Sequence, residues 1–397
     1  MRIRIVLEEA TAAAIFCAAT ISCLGQNWTL TGAPSPATNW TSGAMSADGT
    51  KWVAVMGFYA GGIYVSTNSG ATWTQTDAPS NNWVSVASSA DGGTLIAAAS
   101  GAPAPADVPG PIYTSTNYGV TWNQANVASN LWGSVAASAD GSRLVAASTL
   151  LTSSPPSTPT PLYISTDSGA TWSSNYFGMV LGCVACSADG NTLVGGGRGL
   201  FISTNSGATW TTNSFNNSSA VVAVSADGKT LVVGGNGLFT STNSGTTWKT
   251  NLPVGTLCSS VACSADGTHL LAASVGNIYQ SGDSGTDWSE TNFPTVIDAV
   301  ASSADGYTLA AAVRVGGIWT WRATPIPTLN IASLSNSLTF GWLVPSTNFV
   351  LQQNSDLSTA NWVTLTNVPI LNFTNLQNQV ILPPPANNSF YRLISEE

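Results

Sequence analysis

The sequence predicts an all-β protein assembled from repeated four-stranded units, and three observations carry that reading. The tetrapeptide Ser-Ala-Asp-Gly occurs seven times, with aspartates at Asp48, Asp91, Asp140, Asp189, Asp227, Asp266 and Asp305, spaced by 43, 49, 49, 38, 39 and 39 residues. A second pattern, S-x-[ND]-x-G-x-[TD]-W, falls between them six times and ends at Trp73, Trp122, Trp172, Trp210, Trp248 and Trp288. Helical periodicity is absent throughout. A fixed repeat of this length means units that bury their apolar faces only against their neighbours.

Each unit reads as four short strands. An alternating stretch such as Val84-Ser85-Val86-Ala87 precedes Ser-Ala-Asp-Gly, and an apolar run such as Leu144-Val145-Ala146-Ala147 follows it. An aromatic strand such as Ile63-Tyr64-Val65 comes next, then a tight turn and a strand opened by the motif tryptophan. Four strands per repeat describe a propeller blade. At the ends, Trp28-Thr29-Leu30-Thr31 aligns with Trp73-Thr74-Gln75-Thr76, while Ile318-Trp319-Thr320-Trp321 supplies a third strand and stops. The N-terminal strand is therefore expected to complete the last unit and so pair two edges that would otherwise stand open. The predicted architecture is a seven-bladed β-propeller over residues 26–323, closed by its N-terminal strand.

Both motifs have physical explanations. The Asp of Ser-Ala-Asp-Gly is expected to accept backbone N–H groups while its Gly takes a positive φ. In the second motif the Asn or Asp bonds its own turn, and the Trp packs between neighbouring sheets. Seven aligned carboxylates around a cation are the alternative, unsupported by any D-x-D-x-D cluster. No metal and no cofactor are expected.

The stretch Thr324-Pro325-Ile326-Pro327 ends the repeat. Beyond it, strand-like segments at Leu338 to Val344, Phe349 to Gln353, Trp362 to Leu365, Val380 to Leu382 and Phe390 to Ile394 predict a small β-sandwich over residues 324–397.

Composition narrows the function. Of 397 residues only 7% are charged, Lys plus Arg 10 against Asp plus Glu 19, while 44% are hydrophobic. A net charge of -9 leaves no basic face for phosphates and excludes nucleic acid as a partner. Residues 1–25 read as an export signal, with Arg2 and Arg4 before the apolar run Ala10 to Leu24; a buried first element is the alternative. Cys23 also hints at a lipid anchor. No later run reaches the ~20 apolar residues of a membrane helix, so a secreted or cell-surface monomer is expected. Cys183, Cys186, Cys258 and Cys263 sit in strand contexts, where buried thiols, a disulfide and a metal site all stay open.

The six boxes resemble the Asp-box, or BNR, repeats of sialidases, other glycoside hydrolases, sortilin-type receptors and photosystem assembly factors, over roughly residues 27–322. That resemblance implies a propeller in which the box is a fold element away from the ligand face. Asn at 68, 117, 205 and 243 departs from the usual Asp, keeping the acceptor and losing the charge. The run Phe349 to Asn354, then Trp362, then Phe390-Tyr391-Arg392-Leu393, resembles a C-terminal fibronectin-III-like module of secreted bacterial proteins, which implies an accessory role.

Sialidase chemistry finds no Phe-Arg-Ile-Pro segment here, and Glu290 is the one mid-chain Glu. A glycosidase needs two opposed carboxylates. Asp77 and Asp107, in loops of adjacent units, are the candidate pair, with solvated loop acids as the alternative. For binding, Trp40, Trp83 and Trp132 stand eight residues before the aspartates of the first three units, beside Asn39, Asn82 and Asn130, on the side with the inserts Ala99 to Pro111 and Ser148 to Pro161. Indoles that stack on sugar and amides that bond hydroxyls would form a glycan platform; packing between units is the competing use. The expected function is a non-catalytic extracellular binding or scaffold propeller for a glycan or a protein, with a BNR-repeat glycoside hydrolase as the alternative.

Overall fold

A computed structural model describes residues 28–34, 39–57, 61–100, 108–149, 160–175, 181–197, 199–213, 220–314, 316–323, 329–334, 337–343, 349–385 and 389–395. Residues 1–25, Asp107 and most of the two long inserts lie outside them. Among the described residues every regular element is a strand, and no helix is long and apolar enough to cross a membrane. The chain divides into two units: Asn27–Ala323, grouped with Phe373–Leu376, and a C-terminal unit over Thr324–Asn372 and Gln377–Glu397.

In the first unit four sheets have four antiparallel strands each. The first runs Trp40–Met45, Trp52–Met56, Ile63–Ser66, Thr74–Gln75, and the second Asn82–Ser88, Leu95–Ser100, Ile112–Ser115, Asn123–Gln124. The third runs Trp132–Ala137, Leu144–Ser148, Leu162–Ser165, Ser173–Asn175, and the fourth Leu181–Cys186, Leu193–Gly197, Gly199–Ser203, Thr211–Asn213. From Val221 onward the strands instead join into one nine-stranded sheet. Three of them, Lys249–Cys263, Leu270–Ser281 and Ser289–Ser302, are long enough to pair on both sides at different levels. Thr29–Leu30 forms its far edge, with Thr29 opposite Thr320 and Leu30 opposite Trp319.

Apolar clusters lie between consecutive sheets. Val55, Ile63, Trp83 and Leu95 join the first to the second, and Ile96, Ile112, Trp132 and Leu144 join the second to the third. Trp40, Trp52 and Ala54 pack against Ala310, Ala312 and Ile318 near the other end of the repeat. The Ser-Ala-Asp-Gly turns are linked too. Ala47 N–H donates to Ala90 O, Ala90 to Ala139, Ala139 to Ala188, Ala188 to Ala226, Ala226 to Ala265, Ala265 to Ala304 and Ala304 back to Ala47, at 2.7–3.0 Å. The small Ala of the motif lets these backbones meet. The inner strands surround a cavity of about 250 Å³ lined by small side chains, among them Ala44, Ala87, Ala137, Ala185 and Ala223.

In the C-terminal unit a sheet of Asn330–Leu334, Ser337–Leu343, Gln377–Leu382 and Ile370–Asn372 shares a core with a sheet of Val363–Thr364, Phe349–Asn354 and Phe390–Ser395. Leu338, Phe340, Trp342, Leu351, Val380 and Tyr391 fill that core. The alternation in sequence located five of these strands and missed Asn330–Leu334 and Ile370–Asn372, which are short or exposed and carry little periodic signal.

Candidate functional site

The turn face is built from the two motifs. In the third sheet Ser138 Oγ donates to Asp140 Oδ1 at 2.6 Å and accepts Arg143 N–H at 3.0 Å, while Asp140 Oδ1 accepts Ser142 N–H at 3.0 Å. Gly141 has φ of 69°. In the second motif Ser66 Oγ accepts Gly70 N–H at 2.9 Å, and Asn68 Oδ1 accepts Thr72 N–H at 2.9 Å, the bond that Asp167 Oδ1 makes with Thr171 at 2.8 Å. Asn keeps the acceptor, as the sequence suggested. The residue before the Gly also has a positive φ, 58° at Ser69 and 60° at Tyr118, which the motif alone did not reveal. The glycines serve a close approach as well, since a Cβ on Gly245 would lie 2.2 Å from Ile202 Cδ1.

These bonds set the carboxylates' acidity. Partial burial raises the Asp140 carboxyl, but bonds from Ser138 and Ser142 outweigh it and hold it below its ordinary 3.8; the same balance holds at Asp189 with Ser187 and Asn191. At Asp48 burial is again opposed by Ser46, Thr50 and the Lys51 charge, and at Asp227 by Lys229 and Ser225, with a net lowering at both. These four turn aspartates are thus held as hydrogen-bonded carboxylates inside their own turns.

The proposed indole platform requires correction. Trp40 and Trp83 are 0% exposed and Trp132 is 4% exposed, so no indole face is open to a sugar. Trp83 Nε1 donates to Gly61 O at 3.1 Å and Trp132 Nε1 to Gly110 O at 2.8 Å, so both indoles bind to the preceding sheet. Tyr64, Tyr113 and Tyr163 meet the three indoles edge to face. Leu181, Cys258 and Ile297, at the equivalent position elsewhere, are buried as well, so this position packs between sheets wherever it is described; Ser219 lies outside the described residues. Asn39, Asn82 and Asn130 are half-buried. Asn130 and Asn81, rather than Asn82, occupy equivalent places and form bridges with Gly110 and Gly61. Asp77 is exposed, and Asp107 lies outside the described residues.

The four described strand cysteines are free thiols. Burial pushes Cys183 and Cys186 up to about 12 and Cys258 up to about 11. No cluster of three or more metal-ligating side chains occurs among the described residues.

A different surface is open. At the end of the nine-stranded sheet away from the turns, Leu257 and Val275 flank the Cys258–Ser274 pair and are 62% and 66% exposed. Asn236 lies opposite Leu257, and Val296 opposite Val275. Arg314 N–H donates to Val296 O, and its guanidinium makes an ion pair with Asp298 at 2.7 Å. Val254, 70% exposed, stands in the same Lys249–Cys263 segment. Sequence reasoning passed over this row because its residues read as ordinary strand aliphatics.

The chain is similar in structure to solved β-propellers. A GH74 xyloglucanase from Xanthomonas campestris superposes with a TM-score of 0.56 at 16% identity, covering 80% of this chain and 60% of that one, so the chain spans only part of that enzyme's length. YCF48 from Cyanidioschyzon merolae gives 0.53 at 15% identity, covering 74% and 98%, and YCF48 bound to D1 peptide gives 0.53 at 16%, covering 75% and 97%. At these identities the likeness shows the fold alone: the first unit is a β-propeller. No family model and no curated protein matches the sequence.

Proposed function

We propose that the chain is an exported, non-catalytic binding propeller of seven blades, whose ligand is a protein docked on the row Leu257, Val275 and Val254. The observation that carries this reading is the exposure of Leu257 and Val275 on strands whose backbones are already paired, with exposed Val254 in the same segment. Contiguous exposed apolar surface marks interaction sites. Aliphatic side chains offer a protein a dry contact but give a sugar ring no aromatic face. The recorded peptide complex of a similar propeller accords with a peptide-binding use of the fold. The C-terminal unit, read as a fibronectin-III-like module, would be accessory.

Closure into seven blades is supported by the Thr29–Thr320 pairing and by the cycle of seven alanine hydrogen bonds. Oxidative cross-linking of a Thr29→Cys, Thr320→Cys double variant tests it: a closed ring yields the disulfide, and its absence would discard the seven-blade count.

Function is tested by panning the secreted chain against a peptide library and a glycan array. Selected peptides should lose binding to a Leu257→Ser, Val275→Ser variant whose melting temperature stays near wild type. Peptides that bind both forms equally would overturn the assignment, and so would polysaccharide hydrolysis abolished by Asp77→Asn, which would revive the glycoside hydrolase reading.

A further inference from the structure

One Ser-Ala-Asp-Gly turn differs chemically from the rest. In the others the residue two places after the Asp either donates to the second carboxylate oxygen or leaves it facing water. Thr50, Ser142, Asn191 and Thr268 supply side-chain donors to Asp48, Asp140, Asp189 and Asp266, and Lys229 pairs with Asp227. Asp91 is followed by Gly93, which has no side-chain donor, but Asp91 is exposed. At Asp305 that place is held by Tyr307. Ser303 Oγ donates to Asp305 Oδ1 at 2.6 Å and Tyr307 N–H donates to it at 3.0 Å, yet Oδ2 is buried with no hydrogen-bond partner. Asp305 is 3% exposed and is the one buried carboxylate among the seven turns.

The location matters as much as the chemistry. Ala304, next to Asp305, makes the hydrogen bond to Ala47 O through which the last turn reaches the first. Gly49 packs on Ser303 and Thr308 at the same joint, and Arg322 Nη2 donates to Gly49 O at 3.4 Å. From the preceding turn His269 packs against Tyr307, the rings tilted by 52° with centroids 4.8 Å apart.

We infer that the Asp305 turn is a proton-operated catch on the ring: with the carboxyl neutral the last blade holds to the first, and ionisation loosens that joint. This rests on the closed-ring reading above. A buried carboxylate oxygen without a donor bears its full desolvation cost when charged and much less when protonated. Burial accordingly raises the Asp305 carboxyl above 3.8, against the bonds from Ser303 and Tyr307 and the attraction of His269, whereas Asp48, Asp140, Asp189 and Asp227 are lowered. The charged or titratable groups facing the turn are His269, Tyr307 and Arg322, with Asp266 acting on Tyr307; the charge of His269 works against the catch. For a raised carboxyl the stability is fully present below the ordinary value of 3.8 and is lost as pH rises through the folded-state value.

Hydrogen exchange at the Ala304 amide, corrected for the intrinsic pH effect, reads the joint directly. Between 3.8 and the carboxyl's raised folded-state value, protection should fall with rising pH, by at most about tenfold per pH unit, and should level off above it. Asp305→Asn should melt above wild type at pH 8, with the gap closing toward pH 4. Tyr307→Thr, which places a hydroxyl donor where Thr50 and Thr268 have theirs, should shrink that pH dependence. An Asp305→Asn variant less stable than wild type at pH 8, or a pH-independent gap, would overturn the catch. An Ala304 amide unprotected at every pH would instead count against the closed ring itself.

Discussion

The first three sheets and the nine-stranded sheet are built from one repeat but solve the contact between neighbours differently. In the first group each sheet is a separate set of four strands, and a buried indole spans the gap: Trp83 reaches Gly61 and Trp132 reaches Gly110. In the second group smaller residues, Cys258 and Ile297, hold the same position, and the strands run on until the sheets merge by backbone pairing. Where side chains make the joint, the aromatic surface is hidden. Where backbone makes it, the aliphatic row Leu257 and Val275 is left outside. A large residue in a repeat thus need not be a ligand residue, and a modest one can be.

The largest effect expected from this contrast is at the indoles. Trp83→Ala and Trp132→Ala should each cost about 3–5 kcal/mol in chemical denaturation, because each empties a packed gap and removes one of the two donors to a carbonyl that then keeps only the Asn81 or Asn130 N–H. A loss under about 1 kcal/mol would mean the gap is not closed by the indole.

Next is Gly245→Ala, at φ of 83° and against Ile202, which should cost more than about 1 kcal/mol. The equivalent change at Gly255, also at positive φ but with nothing within 4 Å, isolates the backbone contribution and should cost less.

Acid should act oppositely on the turns. Asp48, Asp140, Asp189 and Asp227 have lowered carboxyls, so their stabilisation is present above 3.8 and is lost as pH falls through the lowered values. Asp140→Asn should therefore destabilise modestly at pH 7 and progressively less in acid, the reverse of Asp305→Asn, as melting curves at several pH values would show.

The smallest effect is expected at Lys229→Ala, since its ion pair with Asp227 has both side chains largely exposed, at 69% and 49%. The change should stay within about 0.5 kcal/mol.

The strand order of the repeats was legible because alternation and turn chemistry are local: Asp140 and Gly141 announce a hairpin whatever surrounds them. The candidate site was not. Trp132 lies on a strand whose neighbours in sequence do not tell whether the preceding sheet covers it, and the carbonyl that its indole reaches there, Gly110, stands 22 residues earlier. The role of the motif alanine was hidden for the same reason, because a backbone hydrogen bond to another turn leaves only a small side chain as its trace.

By itself the sequence determined the repeat, its turns and the neutral polar surface, since these follow from periodicity, from backbone angles only Gly readily adopts, and from composition. Only the tertiary structure decided which aromatic residues are core, which aliphatic ones face solvent, and which of seven identical tetrapeptides holds a carboxylate out of water. Burial belongs to the space between sheets, and residues far apart along the chain create that space.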